Sequence, residues 1–500
     1  MPNDWQIKKC LKLSLSLLVA MLGLIGLASL GCDVPVLRPI VGFVFLTFIP
    51  GVLILRILKI HNLDLIESPL YTVGLSIASV MTVGVVVNLA LPLLGISRPL
   101  SVLPLTGALT IFILILCWLA YKRDRDSHPS NRPREEDEIE AKPSLATTVN
   151  PLLLAVSLPL LAVLSTKLVN YYHNNSVLLV LIFAIVTLVA LVVFSKFVPP
   201  RVYPLMIVMM AIALVYQTTL ISDYLVGSDI HLEYYFANLT LKNGYWDATI
   251  FSLINSCLST VILAPIYSLL LNMDIIWLFK IIYPLFFSLL PLALFRTLSL
   301  QIRPRYAFIA TFFFISTPMF FMDLAQLTRQ QISELFFILV ILLMVDRKLT
   351  LVQRTALVLI FSFGTVVSYY GMGTGYVIGY LPFGVLMLII LKSRPGRNLW
   401  QWLIGKSNSL PDDLTSAGAL TKKVLAFVVG AGLIFAFAYY ALVASGAGLS
   451  GFRVAADVGK LTGEQVIQGI AAPPVGETPT GGAPTPKLPN FIKDIITRFP

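Results

Sequence analysis

The chain carries few charged residues for its length. Asp, Glu, Lys and Arg make up only 12% of its 500 residues and hydrophobic residues make up 57%, whereas soluble domains carry about 25% charged residues. This composition excludes an ordinary soluble domain and indicates an integral membrane protein. The net charge of +11 does not indicate nucleic-acid binding, because the basic residues stand singly at the ends of apolar runs and form no basic stripe.

Cysteine is also scarce, and its spacing shows no metal-site pattern. The four cysteines are Cys10, Cys32, Cys117 and Cys257, with no Cys-x-x-Cys pair among them. Cys32 and Cys257 fall on the same, outer side in the topology below, so a disulfide between them is one alternative. The favoured interpretation is two unpaired, buried thiols.

Apolar runs long enough to cross a bilayer recur along most of the chain. A helix needs about 20 apolar residues for this, and the sequence predicts an all-α, polytopic membrane protein with about 13 transmembrane helices. The predicted spans are residues 11–31, 36–58, 69–95, 102–121, 151–168, 177–198, 202–221, 275–298, 307–321, 332–345, 351–370, 376–391 and 424–443.

The basic residues between these runs predict the orientation. Clusters near Lys8, Arg56, Lys122 and Arg201 bracket alternate connections, and the positive-inside rule places them in the cytoplasm. The N-terminus is therefore predicted to be cytoplasmic, and the loop after Ile221 extracytoplasmic.

One apolar segment, residues 257–271, conflicts with a simple count of spans. As a span it would move Arg296 and Arg303 to the outer side, against the charge rule. Its shortness and Pro265 favour a re-entrant or interfacial helix. We expect it to lie on the outer face, after the first large outer loop.

That outer loop, residues 227–247, concentrates the polar chemistry of the chain. Ser228 is predicted to cap a helix that begins at Asp229, and on this helix Asp229 and Glu233 share a face because they are four residues apart. Two carboxylates on one face can hold a divalent cation such as Mg²⁺ or Mn²⁺, or one can act as a general base that the other positions. The alternative is a solvated, amphipathic loop whose tyrosines lie at the membrane interface.

Several short motifs follow one another in a recognisable order from Asp229 onward. They are Asp229-Ile-His-Leu-Glu-Tyr234, Gly244-Tyr-Trp246, Ala264-Pro-Ile-Tyr267, Arg303-Pro-Arg305, Ser316-Thr-Pro318 and Val367-Ser-Tyr-Tyr-Gly371. Their order and spacing resemble the GT-C superfamily of polytopic membrane glycosyltransferases, in particular uncharacterised archaeal-type members with extra N-terminal helices. In the last motif, Tyr369 stands where those proteins have a histidine.

The resemblance implies a glycosyltransferase that takes a sugar from a polyprenyl-phosphate carrier, with inversion at the anomeric carbon. Asp229 would be the catalytic carboxylate, acting as a general base or assisting a metal ion, and Glu233 would support it. Lys280 and Arg329 would bind the donor phosphate, on which charge develops as it leaves. The alternatives are that Lys280 reaches to the outer headgroups and that Arg329 is an ordinary loop cation. The substrate-binding candidates are His231, Tyr234, Trp246 and Asp247.

The predicted function is transfer of a sugar from a polyprenyl-phosphate-linked donor to a glycan, lipid or protein acceptor at the extracytoplasmic face of the cell membrane. The alternatives are a transporter or flippase of a lipid-linked glycan and a non-catalytic membrane assembly factor. Transport would favour ionisable residues at mid-membrane, whereas this chain gathers its acids in one outer loop.

The same considerations divide the chain into regions. They are a four-helix N-terminal membrane unit (residues 1–121), a charged cytoplasmic linker (122–149), additional membrane helices (150–201), a GT-C-like membrane core (202–443) and an extracytoplasmic Gly/Pro-rich tail (444–500).

Overall fold

The computed structural model describes residues 6–32, 34–61, 63–125, 145–195, 198–346 and 348–375, with isolated positions 379, 434, 435, 438 and 439. These described residues belong to the compact unit Met1–Phe452 and form helices, with no strand among them. In chain order the helices are α1 (Ile7–Ser29), α2 (Leu37–Ile57), α3 (Glu67–Ala90), α4 (Val102–Asp124), α5 (Leu145–Tyr172), α6 (Ser176–Phe194), α7 (Tyr203–Thr219), α8 (Asp229–Asn243), α9 (Ser259–Leu271), α10 (Ile275–Ser299), α11 (Pro304–Ile315), α12 (Thr328–Val345), α13 (Leu351–Ser368) and α14 (Tyr370–Gly375).

Ten of these helices are long and apolar enough to cross a bilayer. A further span is possible if α11 and the segment Met319–Gln326, which are bent by 60° relative to each other, are counted as one. The prediction of an all-helical membrane protein is confirmed at this level. The predicted spans 376–391 and 424–443 lie outside the described residues, apart from isolated positions.

The predicted linker 122–149 overlaps helices at both of its ends. Helix α4 continues to Asp124 and α5 begins at Leu145, while residues 126–144 lie outside the described part of the chain. The extension of α4 has a physical reason, because the buried carboxylate of Asp124 accepts a hydrogen bond from Arg56 at 2.8 Å. The predicted tail, residues 444–500, is also outside the described residues.

The two ends of the helix bundle can be told apart by contacts between helices. Gln353, at the start of α13, donates to the carbonyl oxygens of Leu58 and Lys59 just after α2, both at 3.0 Å. The start of α13 and the end of α2 therefore share one end of the bundle. We name it the Arg296 end, because Arg296 lies there, and we name the opposite end the Asp229 end.

Ion pairs hold the helices together at the Arg296 end. The Nε atom of Arg296 donates to Glu67 at 2.8 Å, and its guanidinium also pairs with Asp64. Lys348 binds Asp64 at 2.6 Å. These pairs tie α3 to α10 and to the loop before α13. Arg56, Arg296 and Lys348, which the charge rule groups on one side, therefore lie at one end of the bundle; the side of the membrane on which that end lies stays a prediction.

Helix α9 does not run from one end of the bundle to the other. It has five residues in a π turn and eight in an α-helix, which makes it roughly 20 Å long at 1.5 Å per residue, less than the ~30 Å hydrocarbon core. Ser259 donates to the carbonyl of Ser368 at the end of α13 (2.9 Å), and Arg38 at the start of α2 donates to the carbonyls of Leu269 and Leu270 (2.9 and 3.0 Å). Both ends of α9 therefore lie at the Asp229 end, as expected for a segment that does not span.

The placement of α9 on a surface is wrong, however. Nearly all of its side chains are buried inside the protein, where it packs against α2, α3 and α8. At Gly84 in α3, a Cβ atom would overlap the side chain of Ile262, so the glycine permits this close approach. A helix that is apolar on every face gains most by being covered on every face, and α9 carries no charged residue.

Three short segments of the bundle adopt π-helical rather than α-helical geometry. They are Ser259–Leu263, Leu278–Ile282 and Met319–Asp323. In each, a hydroxyl from another helix donates to a carbonyl oxygen of the segment: Tyr283 to Ser259, Thr219 to Lys280 and Thr218 to Phe321. Side-chain donors thus satisfy carbonyl groups where the regular helical ladder is interrupted.

The cysteine alternatives are settled for the described residues. Cys32 and Cys257 are both free, so the disulfide alternative is wrong. Cys257 is buried, as the favoured interpretation has it, whereas Cys32 is exposed.

Candidate functional site

Helix α8 places the acidic motif at the Asp229 end of the bundle. It begins at Asp229, where the helix dipole favours a negative charge. It ends at Asn243, and the next residue, Gly244, has a φ of 64°, the left-handed conformation that commonly terminates helices. The predicted cap by Ser228 is wrong. Ser228 has helical backbone angles and makes no capping hydrogen bond, because a capping residue needs an extended backbone for its side chain to reach back.

Arg329, the second residue of α12, bridges the two carboxylates of the motif. Its Nη2 atom donates to Oδ2 of Asp229 at 2.6 Å, and its Nη1 atom donates to Oε1 of Glu233. The prediction that Asp229 and Glu233 share a face is therefore confirmed. A planar guanidinium with several fixed donors is well suited to hold two carboxylates at once. Arg329 is buried, with 3% of its surface exposed.

The two carboxylates differ sharply in their surroundings. Glu233 is fully buried, and its second oxygen accepts hydrogen bonds from the backbone N–H of Thr328 (2.8 Å) and from the Thr328 hydroxyl. Burial raises the pKa of Glu233, and the guanidinium of Arg329 opposes that rise. The side chain of Asp229 is 46% exposed, and its Oδ1 atom lies 3.4 Å from the hydroxyl of Ser228. Only Asp229 can be reached by a molecule outside the bundle.

Tyr369 completes the surroundings of the guanidinium. Its ring lies over Arg329, with 5.3 Å between the guanidinium carbon and the ring centroid, a cation–π arrangement. The neighbouring ring of Tyr370 packs edge-on against it at 4.9 Å. Burial raises the pKa of Tyr369, so its hydroxyl is protonated at neutral pH. The position where the resemblance has a histidine is therefore in direct contact with the site.

Lys280 belongs to a different group of contacts at the same end. Its ammonium donates to the carbonyl oxygens of Ser222 and, at 3.4 Å, of Tyr224, and it lies 5.0 Å from the ring centroid of Trp277. Lys280 is 2% exposed, so it does not reach out to the headgroups. It fixes the loop that leads into α8. Asp229 and Arg329 are in direct contact, whereas the side chain of Lys280 contacts these two carbonyls and Trp277.

The predicted substrate-binding residues fall into different environments. Trp246 is 1% exposed, and its indole N–H donates to Asn255 at 3.1 Å, so its ring cannot stack on a sugar from outside. Asp247 accepts hydrogen bonds from Thr249 in a local turn. Tyr234 is half-buried against the core, and His231 is exposed on the outer face of α8.

Several contributors to this site are missing from the predicted set. Thr328 binds Glu233 from the backbone and the side chain, and Tyr369 covers Arg329. Asn88, a buried amide near the end of α3, pairs with the backbone of Trp246. The sequence does contain a signal for Asn88, which is the one amide side chain in its span. Polar side chains inside membrane helices usually bind a partner.

The residues do not fit a divalent cation. Within the described part of the chain, no cluster of three or more His, Cys, Asp or Glu side chains could hold a metal ion. Asp229 and Glu233 both bind Arg329, whose positive charge takes the place that a cation would have between them.

No protein-family model, curated protein or solved structure matches this chain. Its fold and candidate site define a helical, membrane-spanning type of protein with an arginine-bridged pair of carboxylates at one end of the bundle.

Proposed function

We propose that the chain is a membrane glycosyltransferase that takes a sugar from a polyprenyl-phosphate-linked donor, with Asp229 as the general base. One observation carries this proposal: Asp229 is a half-exposed carboxylate held in place by the buried Arg329. A general base must be reachable by the acceptor and must be held in a fixed direction. The GT-C resemblance of the motifs supplies the substrate class.

The proposed reaction is a single displacement at the anomeric carbon of the donor sugar. The acceptor hydroxyl attacks the anomeric carbon as its proton passes to Asp229, and the bond from that carbon to the phosphate oxygen breaks, with the electron pair leaving on the phosphate. Because attack and departure occur on opposite faces of the sugar, the configuration inverts. With Oδ2 bound to Arg329, the Oδ1 atom of Asp229 is the one that receives the proton.

The other charged residues take positioning roles. Glu233 and Thr328 hold Arg329, and Arg329 holds Asp229. The negative charge on the departing phosphate needs a nearby cation. Arg329 and Lys280 are the two candidates. Arg329 already binds two carboxylates and Lys280 two backbone carbonyls, so the phosphate would have to displace one of these partners.

A transporter is less well supported. Substrate and ion pathways usually place charged residues near the middle of spans. In the described spans the buried charged side chains, such as Arg38, Arg56 and Glu67, lie within about two turns of a helix end. They pair there with side chains of opposite charge or with backbone carbonyls.

Substitution Asp229→Asn tests the proposal in proteoliposomes supplied with a polyprenyl-phosphate-linked sugar. We expect transfer to fall by about 10²–10⁴-fold, with membrane insertion unchanged. Asp223→Asn is the matched control, because Asp223 is also a half-exposed aspartate paired with a cation, Lys167, at 3.2 Å. Full transfer by the Asp229→Asn variant would refute the catalytic assignment.

A further inference from the structure

The N-terminal helices supply contacts that hold the far end of α8. Exposed Arg98, in the connection between α3 and α4, donates to the carbonyls of Lys242 (2.6 Å) and Asn243 (3.2 Å), the last residues of α8. The backbone N–H of Leu100 donates to the carbonyl of Gly244 at 2.8 Å. These carbonyls have no partner inside the helix, as at any helix C-terminus, and the N-terminal helices supply the donors.

Asn88 extends this attachment past the end of the helix. Its amide nitrogen donates to the carbonyl of Trp246 at 2.9 Å, and its amide oxygen accepts from the Trp246 N–H at 2.8 Å. Asn88 thus pairs with both backbone groups of one residue, as a neighbouring strand would. Asn255 then binds the indole of the same tryptophan, so the turn after α8 is fixed from two sides.

Helix α8 is therefore attached at both ends. It has 15 residues, roughly 22 Å at 1.5 Å per residue. Arg329 holds its first two turns through Asp229 and Glu233, and Arg98 and Asn88 hold its last turn and the turn beyond. If the far end were released, the packing of α8 against α9 would be left to oppose a tilt about the attachment to Arg329, and such a tilt would change the direction of Oδ1 of Asp229.

We infer that the N-terminal helices form part of the site, with Asn88 and Arg98 as positioning residues that fix the direction of α8 and so of Asp229. The effect on catalysis rests on the proposed function, whereas the attachment of α8 is independent of it. A misplacement of about 1 Å can lower a reaction rate by about 10²-fold. The substitution of either residue affects kcat more than KM, since the residues lie away from the acceptor.

The test measures position and transfer separately. Spin labels at Tyr235→Cys on the exposed face of α8 and at Tyr306→Cys on α11 report the distance between α8 and the core, in a background where the exposed Cys32 is replaced by Ser. We expect a narrow distance distribution that broadens in Asn88→Ala and Arg98→Ala. The control Thr82→Val, whose hydroxyl binds only within α3 at 2.8 Å, leaves it unchanged.

Transfer is then measured in the same variants without labels. We expect kcat to fall 10- to 100-fold with KM unchanged, and Arg98→Lys, which keeps a cationic donor, to recover part of the loss. Because Arg98 is exposed, its truncation tests the inference even where Asn88→Ala fails to fold. Unchanged distances in both variants overturn the inference, as do broadened distances with unaltered kcat. Absence of transfer by the unsubstituted protein would contradict the proposed function alone, since the distances still test the attachment.

Discussion

The two carboxylates that share Arg329 should contribute very unequally to stability. Glu233→Gln and Asp229→Asn each remove one negative charge from the same guanidinium with little change in shape. Glu233 is fully buried and Asp229 is 46% exposed. The comparison therefore isolates the effect of burial on an ion pair.

The expected magnitudes follow from these environments. Loss of one partner from a buried ion pair costs about 3–5 kcal/mol, because it leaves an uncompensated buried charge, whereas a pair exposed to water contributes about 0–1 kcal/mol. At Glu233 the damage is greater than the loss of charge. Thr328 and Arg329 donate hydrogen bonds to both of its oxygens. A glutamine has an NH₂ group in place of one oxygen, and this group would face a donor.

Unfolding of the purified protein in mixed micelles, followed by circular dichroism as the SDS fraction rises, measures this difference. We expect Glu233→Gln to lower the free energy of unfolding by about 3 kcal/mol or more, and Asp229→Asn by less than about 1 kcal/mol. Asp223→Asn, at a surface ion pair, should resemble Asp229→Asn. Equal losses at Glu233 and Asp229 would refute the assignment of one as a buried anchor and the other as an accessible group.

Two further predictions concern packing and orientation. In Gly51→Ala the new Cβ would overlap a backbone carbonyl of α3, so we expect little folded protein. Gly107→Ala, whose Cβ would have no atom within 4 Å, should fold normally. The yield of each variant in size-exclusion chromatography compares them, and equal yields would contradict the packing. With Cys32 replaced by Ser, a membrane-impermeant thiol reagent applied outside should label Tyr235→Cys and not Arg303→Cys; outside labelling of the latter would overturn the orientation.

The sequence predicts the long apolar helices of the described residues, although not their exact number, because the bilayer itself imposes length and apolarity on a span. The charge rule also identifies α9 as a segment that does not cross, since Arg296 and Arg303 constrain the count. The burial of α9 could not be predicted, because it depends on the fit of Ile262 against Gly84, far away in the chain.

In the candidate site, too, local features could be predicted from the sequence and tertiary contacts could not. The helical repeat predicts that Asp229 and Glu233 share a face, and Arg329 is among the predicted site residues. Its role as a bridge is a tertiary contact across about a hundred residues of chain, which no local pattern encodes. Trp246 follows the rule for interfacial aromatics in sequence and is nevertheless buried, because Asn88 and Asn255 supply partners for its backbone and indole.

The π segments have a consequence for how the chain tolerates changes in length. A π turn holds one residue more than an α turn, so Leu278–Ile282 contains a single surplus residue relative to a continuous helix. Deletion of one residue there would restore regular α geometry and leave every later side chain of α10 on its present face. Deletion of one residue elsewhere in α10 would rotate the rest of the helix by about 100° and turn Arg296 away from Glu67. The π segment Leu278–Ile282 is thus the place where α10 can lose a residue and keep its later side chains on their present faces.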